Sequence, residues 1–291
     1  MDTQSAIRRV VYYIVFLLVM TFIANIIASQ FKESSIASLI IMSSPALAAF
    51  VVSALTSRSL KEIGWRITPI KWLGIGWVLP ILYAVPAYGL VWITGLGGVP
   101  SPTFLERARF TLNMPSSPDR LVIVAAFFYI TIVNLIPSML LSLGEEIGWR
   151  GLLVPELTKQ VGVRRASLFS GLVWAAWHLP GIFSGNYGSA GTPLVYQLAC
   201  FTFMVITTGI LMAWLRMKSG SIWPVAIMHA THNGLIQTFL DRLTIDTGST
   251  HYFTGEFGFA MLPILFLLVG IIWQRSQETE NKNFTTQLEF S

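Results

Sequence analysis

The stretch Leu143-Gly144-Glu145-Glu146-Ile147-Gly148-Trp149-Arg150-Gly151 closes an apolar run that begins near Leu121. Two acids and a base thus end a segment long enough to span a membrane. A charge near the bilayer centre costs roughly 2.5–3.5 kcal/mol on insertion scales, so each of the three calls for a partner or a purpose. Glu146 and Arg150 are four residues apart with the acid N-terminal, the favourable order for a same-face ion pair. Glu145 lies about 100° further round the helix and has no local partner. The residues read as a brace, Glu146–Arg150, beside a working carboxylate, Glu145. The plainer alternative is a charged helix end at the cytoplasmic surface.

The rest of the chain supports a membrane setting. Of its 291 residues 54% are hydrophobic and 11% charged, and the mean hydropathy is +0.65. Soluble globular chains carry roughly 25% charged residues. The net charge of +5 is scattered between apolar runs. It forms no basic stripe of the kind nucleic acid requires, so no nucleic-acid partner is expected. The single cysteine, Cys200, excludes an intrachain disulfide and a cysteine metal cluster. It sits in an apolar run and reads as a buried structural thiol, since reactive thiols need a polar setting.

Eight apolar stretches approach the roughly 20 residues that a spanning helix needs: Val10–Ser29, Ile36–Leu55, Trp72–Leu96, Leu121–Trp149, Ala166–Phe183, Pro193–Trp214, Trp223–Leu240 and Phe257–Trp273. The first follows Arg8-Arg9, but it is too long for a signal-peptide core and is kept as a helix. Phe104–Leu112 reads as a short interfacial helix, and the tail from Gln274 as polar and disordered. The expected fold is an all-α, polytopic membrane bundle of about eight helices. It divides into N-terminal helices (1–120), a core (121–240), and a last helix with its tail (241–291). With the N-terminus inside, the inner segments hold about fourteen of the nineteen Lys and Arg residues. Both termini are therefore expected in the cytoplasm of a cell-membrane protein.

Two further helices carry polar groups at depth. His178, in Trp174-Ala-Ala-Trp177-His178-Leu-Pro180, lies roughly 18 Å into its helix, with Trp174 one turn earlier on the same face. In His229-Ala-Thr-His232-Asn233, His229 and Asn233 share a face and His232 only partly does. Interhelical hydrogen bonding would explain one such residue but not the set. Polar groups in lipid face inward and seek each other, so one central site is the economical reading.

The chemistry follows from residue type. A carboxylate beside an imidazole can activate water. A second histidine and an amide can donate to a tetrahedral oxyanion. Glu145, His178 and His229 could alternatively hold zinc as a two-histidine, one-carboxylate set, although the compact H-E-x-x-H spacing is absent. No Gly-x-Gly-Asp is present for an aspartyl protease, and Ser170-Gly171 lacks a supporting serine motif. Two other classes use the same groups: a proton- or ion-coupled transporter, and a non-proteolytic immunity or assembly factor. No inverted-repeat symmetry points to transport.

In order, Glu145-Glu146-Ile-Gly-Trp-Arg150, Trp174-Ala-Ala-Trp-His178 and His229-Ala-Thr-His-Asn233 resemble the CAAX-processing and bacteriocin-processing family of intramembrane endopeptidases, also called the Abi or type II CAAX prenyl endopeptidase family. Ser219-Gly-Ser-Ile-Trp-Pro224 is also similar to the family. The resemblance covers about Leu121–Leu240. It implies an eight-helix fold with the site opening toward the cytoplasm, and hydrolysis of membrane-associated proteins or peptides, prenylated or unprenylated. By the same resemblance Glu145 and His178 would activate water, and His229 and Asn233 would stabilise the oxyanion. Glu146, Arg150 and Trp174 would support them. Accounts of the family differ on a metal, and zinc stays open. Trp174 departs from the phenylalanine usual at that position. Similar prokaryotic proteins act where prenylation is absent, and the sequence fits a prokaryotic membrane protein.

Overall fold

The structure is a computed structural model that describes residues 3–31 and 34–274. The expected tail, from Arg275 onward, lies outside them. The described residues are helical apart from turns, loops and one isolated antiparallel bridge, Gly98 to Ile245. The helices are α1 (Thr3–Ala28), α2 (Ser34–Leu55), α3 (Ile70–Ile93), α4 (Pro102–Leu112), α5 (Asp119–Phe128), α6 (Leu135–Glu146), α7 (Val154–Phe183), α8 (Leu194–Ser219) and α9 (Trp223–Asn233). A C-terminal apolar helix follows at Leu262–Gln274. Five segments are long and apolar enough to cross a membrane: Gln4–Ala28, Ile36–Leu55, Ile70–Ile93, Leu135–Phe183 and Leu194–Ser219. The short helix expected at Phe104–Leu112 is α4, capped by the Ser101 side chain and ended by Asn113 in the left-handed conformation.

The stretch expected as one helix over Leu121–Trp149 differs in detail. It runs as α5, a π-helical turn at Tyr129–Val133, a break at Asn134, and α6. Pro137 explains the break, because it has no N–H to offer the carbonyl of Val133. Beyond Glu146 the chain continues through a second π-helical turn, Ile147–Leu153, directly into α7. The interruption expected before Ala166 comes at Gly162, whose φ of +76° is open to glycine and strained for other residues. A third π-helical turn, Gly234–Leu240, follows α9. Two of the three wide turns therefore begin just after candidate site residues, where such insertions recur in proteins.

Packing turns the chain inside out relative to a soluble protein. Leu18, Phe22, Val133, Leu140 and Leu267 are each more than 60% exposed, whereas Glu145, Glu146, Arg150 and Glu156 are buried. An apolar exterior over a polar interior is the arrangement lipid demands. α1 packs on α2 and α7, α2 on α6, α3 on α9, α6 on α9, and α7 on α8. Small residues let the backbones close. A Cβ on Gly144 would stand 2.7 Å from the Met42 carbonyl oxygen, and one on Gly171 would stand 3.0 Å from the Ile206 Cα. Glycine at these contacts brings α6 onto α2 and α7 onto α8.

The two ends of the bundle differ in charge. At one end Arg9, Arg58 and Lys159 converge on Glu156 at 3.5, 3.0 and 2.8 Å. Arg216 donates there to the carbonyls of Glu62 and Ile63 at 3.0 Å. The other end joins the α3–α4 connection to the loop after α9, through the Gly98–Ile245 bridge and a 2.7 Å bond from Thr250 to the Leu96 carbonyl.

Candidate active site

α6, α7 and α9 bring the expected residues to one place. Glu146 is fully buried and accepts two bonds from Arg150 Nη1, at 2.9 and 3.1 Å. The expected ion pair is present although the chain widens into a π-turn between the two residues. His229 Nδ1 meets the same Glu146 Oε1 at 2.8 Å. Glu146 thus joins α6 to α9 as well as holding Arg150. Carboxylates accept only, so His229 carries its proton on Nδ1 and turns Nε2 away from Glu146.

Glu145 has different surroundings. Its Oε2 accepts the indole N–H of Trp174 at 2.7 Å and that of Trp149 at 3.4 Å. Oε1 has no protein donor among the described residues. His178 is half-buried, and its Nδ1 lies 2.9 Å from the Trp174 carbonyl oxygen. A carbonyl only accepts, so Nδ1 bears the proton and Nε2 keeps a free lone pair.

Trp174 is the hub. Its ring lies under the Arg150 guanidinium at 4.3 Å, and its centroid is 5.9 Å from that of His178 and 5.5 Å from that of His229. A phenylalanine there could stack with Arg150 but could not donate to Glu145.

A cavity of about 680 Å³ reaches Glu145, Trp174, His178, His229 and Asn233. That volume is in the range of small-molecule and peptide sites. Glu146 and Arg150 stand outside its lining and behind it. The site's division into facing groups and a brace is thereby visible in the geometry. The described residues include no group of three or more His, Cys, Asp or Glu side chains placed to share a metal ion. Both histidines hold Nδ1 to an oxygen acceptor and leave Nε2 without a protein partner among the described residues, and Glu145 uses only Oε2 for its two indole donors.

A second polar layer borders the cavity. The Tyr83 hydroxyl lies 2.6 Å from His232 Nδ1, and His232 Nε2 lies 2.9 Å from Glu256 Oε1. Tyr187 donates its hydroxyl to the other oxygen of Glu256. Burial opposes ionisation of Glu256, yet hydrogen bonds from His232, Tyr187 and Gln237 outweigh it and hold the carboxyl at about 2. Tyr187, Gln237 and Glu256 also line a neighbouring cavity of about 430 Å³. There burial pushes the Asp241 carboxyl up to about 6, although the Tyr88 hydroxyl bonded to it pulls the other way. His232, secondary in the sequence reading, is the centre of this layer. Its partners Tyr83 and Glu256 lie 149 and 24 residues away, so no local motif includes them.

Fold and site together define a polytopic helical membrane bundle with a buried acid–histidine centre facing an internal cavity. Residues 120–235 match the model of the family described as type II CAAX prenyl endopeptidase, Rce1-like. Over 111 residues the chain is 31% identical to CAAX prenyl protease 2 of Methanococcus maripaludis. That stretch covers 36% of this chain and 41% of the relative's length. The motif resemblance is thus matched by the family model, over a segment that contains every residue from Glu145 to Asn233.

Proposed function

We propose that the protein is an intramembrane endopeptidase that hydrolyses peptide bonds with water activated by Glu145 and His178. The observation that carries this is the shared cavity. Two acceptors from α6 and α7, and two side chains one turn apart on α9, face one space, while Glu146 and Arg150 stay behind it. Similarity to the CAAX prenyl protease family over residues 120–235 supports the same reaction class.

The steps follow from the hydrogen-bond roles. A water donates to Glu145 Oε1 and His178 Nε2, and its oxygen attacks the peptide carbonyl carbon. One water proton passes to Glu145 and then to the leaving amine as the C–N bond breaks. The oxyanion is met by the Asn233 amide N–H and by His229 Nε2, protonated when its imidazole is cationic against Glu146. Trp174 and Trp149 hold Glu145 in place through its other oxygen.

The cavity wall selects for peptide character. It includes Phe31, Ile41, Met42, Phe201, Met204 and Met212, and its acids are Glu145 and Glu256. No Lys or Arg is among its described lining residues. An apolar or basic segment of a membrane-associated protein or peptide fits such a wall better than an acidic one, whether or not it carries a prenyl chain.

The test is hydrolysis in proteoliposomes in ¹⁸O-enriched water. Direct attack predicts one ¹⁸O in the new carboxyl group and no covalent enzyme adduct on acid quench. A trapped acyl-enzyme would contradict the mechanism.

A further inference from the structure

We infer that Tyr187 is a positioning residue for His178, and that Glu256, held by His232, anchors it there. The inference rests on the endopeptidase reading, in which His178 Nε2 accepts a hydrogen bond from the attacking water. The 2.9 Å bond from Nδ1 to the Trp174 carbonyl ties one corner of the imidazole. The second side-chain torsion of histidine is broad and soft, so this bond alone leaves the ring free to rock, and the aim of Nε2 with it. Four aromatic rings surround the imidazole. Those of Trp174, Trp177 and Phe201 meet it at 58°, 84° and 69°. Tyr187 stacks on it at 30°, with centroids 5.6 Å apart, and is the near-parallel neighbour among the described residues. Tyr187 lines both the main cavity and its 430 Å³ neighbour, whereas His178 lines the main one. Loss of the tyrosine ring would open space beside the imidazole into which it could swing.

Tyr187 lies outside the helices and needs holding. The N–H groups of Asn186 and Tyr187 both bond to the Gly181 carbonyl at 3.0 Å, which folds the chain back after α7. From there the ring meets Phe257 edge-on at 5.1 Å, and the hydroxyl donates to Glu256 Oε2. Glu256 Oε1 accepts from His232 Nε2 at 2.9 Å, and His232 Nδ1 faces the Tyr83 hydroxyl at 2.6 Å. Tyr83, His232 and Glu256 are all buried. A buried carboxylate is costly unless it is paired and hydrogen-bonded, and here its two oxygens are divided between α9 and the tyrosine. α3, α9 and the loop before the C-terminal helix thus converge on the Tyr187 hydroxyl through one chain of hydrogen bonds. Among the described residues that chain makes no side-chain hydrogen bond to Glu145, His178, His229 or Asn233. Its link to the proposed chemistry is the stack of Tyr187 on His178.

Cleavage kinetics of the full chain in liposomes, on a peptide that the wild type cuts, test the link. Tyr187→Phe keeps the ring and removes the hydroxyl, and Glu256→Ala removes its acceptor. Misplacing a reacting group by about 1 Å can cost about 100-fold, so each variant is expected to lower kcat about 10–100-fold with KM little changed. Both act through one bond, so the double variant should be no slower than Glu256→Ala alone. Glu256→Gln should recover most of the rate. Its oxygen accepts from Tyr187, and its amide donates to His232 Nε2 once the imidazole proton moves to Nδ1, beside the Tyr83 oxygen. An unaltered kcat in Tyr187→Phe, multiplied losses in the double variant, or a change confined to KM overturns the inference. Should Glu256→Ala fold poorly, a slow Tyr187→Phe beside a fast Glu256→Gln is the expected result, and equal rates overturn it. NMR of protein labelled with ¹³C,¹⁵N-histidine gives a readout independent of cleavage. The His178 ring signals, identified by their loss in His178→Gln, are expected to move in Tyr187→Phe and to stay in Glu256→Gln. Signals unmoved in Tyr187→Phe overturn the positioning role, whereas a wild type that cuts no peptide defeats the endopeptidase reading and leaves the NMR result to decide this one.

Discussion

The indole of Trp174 donates to Glu145 over 2.7 Å while its backbone carbonyl fixes His178 at 2.9 Å. One residue on α7 thereby aligns both groups proposed to hold the water. Trp174→Phe keeps the ring under Arg150 and removes the donor. Hydrogen bonds to charged groups contribute about 1.5–3 kcal/mol, so turnover is expected to fall about 10–100-fold with KM nearly unchanged. Steady-state cleavage kinetics check this, and an unaltered turnover would show that the bond does not position Glu145.

Glu146 should matter through stability as well as activity. Glu146→Ala leaves Arg150 and His229 without their shared acceptor in a buried setting. Breaking a buried pair from one side typically costs about 3–5 kcal/mol. A matching loss is expected in unfolding titrations in detergent. Glu146→Gln should recover part of it by accepting one of the bonds.

Asn233 lines the cavity from α9 and has no hydrogen bond to another side chain among the described residues. If it meets the oxyanion, Asn233→Ala should lower turnover about 10²–10³-fold, the scale of one such donor, without a change in thermal midpoint. A silent substitution in a protein that still cleaves would remove Asn233 from that role.

Asp241 gives the fold a pH dependence. Burial raises its carboxyl from 3.8 to about 6 in the folded protein. The folded state therefore binds this proton more tightly than the unfolded chain, and stability falls as pH rises from about 4 through about 6. Asp241→Asn keeps an acceptor for the Tyr88 hydroxyl and removes the titration. It should match the wild type near pH 4 and exceed it at pH 7.5 by roughly 2–3 kcal/mol, at about 1.4 kcal/mol per pKa unit. Denaturation at the two pH values checks this, and a variant less stable at pH 7.5 would contradict it.

Much of the site can be read from three apolar segments that carry charges they cannot leave in lipid. The spacing of Glu146 and Arg150, and of His229 and Asn233, predicts shared faces, and the structure has both. The wide turns after Glu146 and Asn233 leave no mark in hydropathy, because a π-turn changes hydrogen bonding and not composition. The break at Asn134 had a signal in Pro137. The Tyr83–His232–Glu256 layer was hidden for another reason. Glu256 stands in a loop before the C-terminal helix, and tertiary packing alone brings it to α9. An isolated acid directly before the apolar run from Phe257 was the available hint.

The most direct test of a glutamate-dependent protease pairs the wild type with Glu145→Gln in liposomes. Both would meet a panel of membrane-anchored peptides, prenylated and unprenylated, with products read by mass spectrometry. Cleavage by the wild type alone, with the variant equally folded, is the expected result, and the peptides cut define the substrate class. Equal cleavage by both would contradict the role assigned to Glu145 and with it the proposed mechanism.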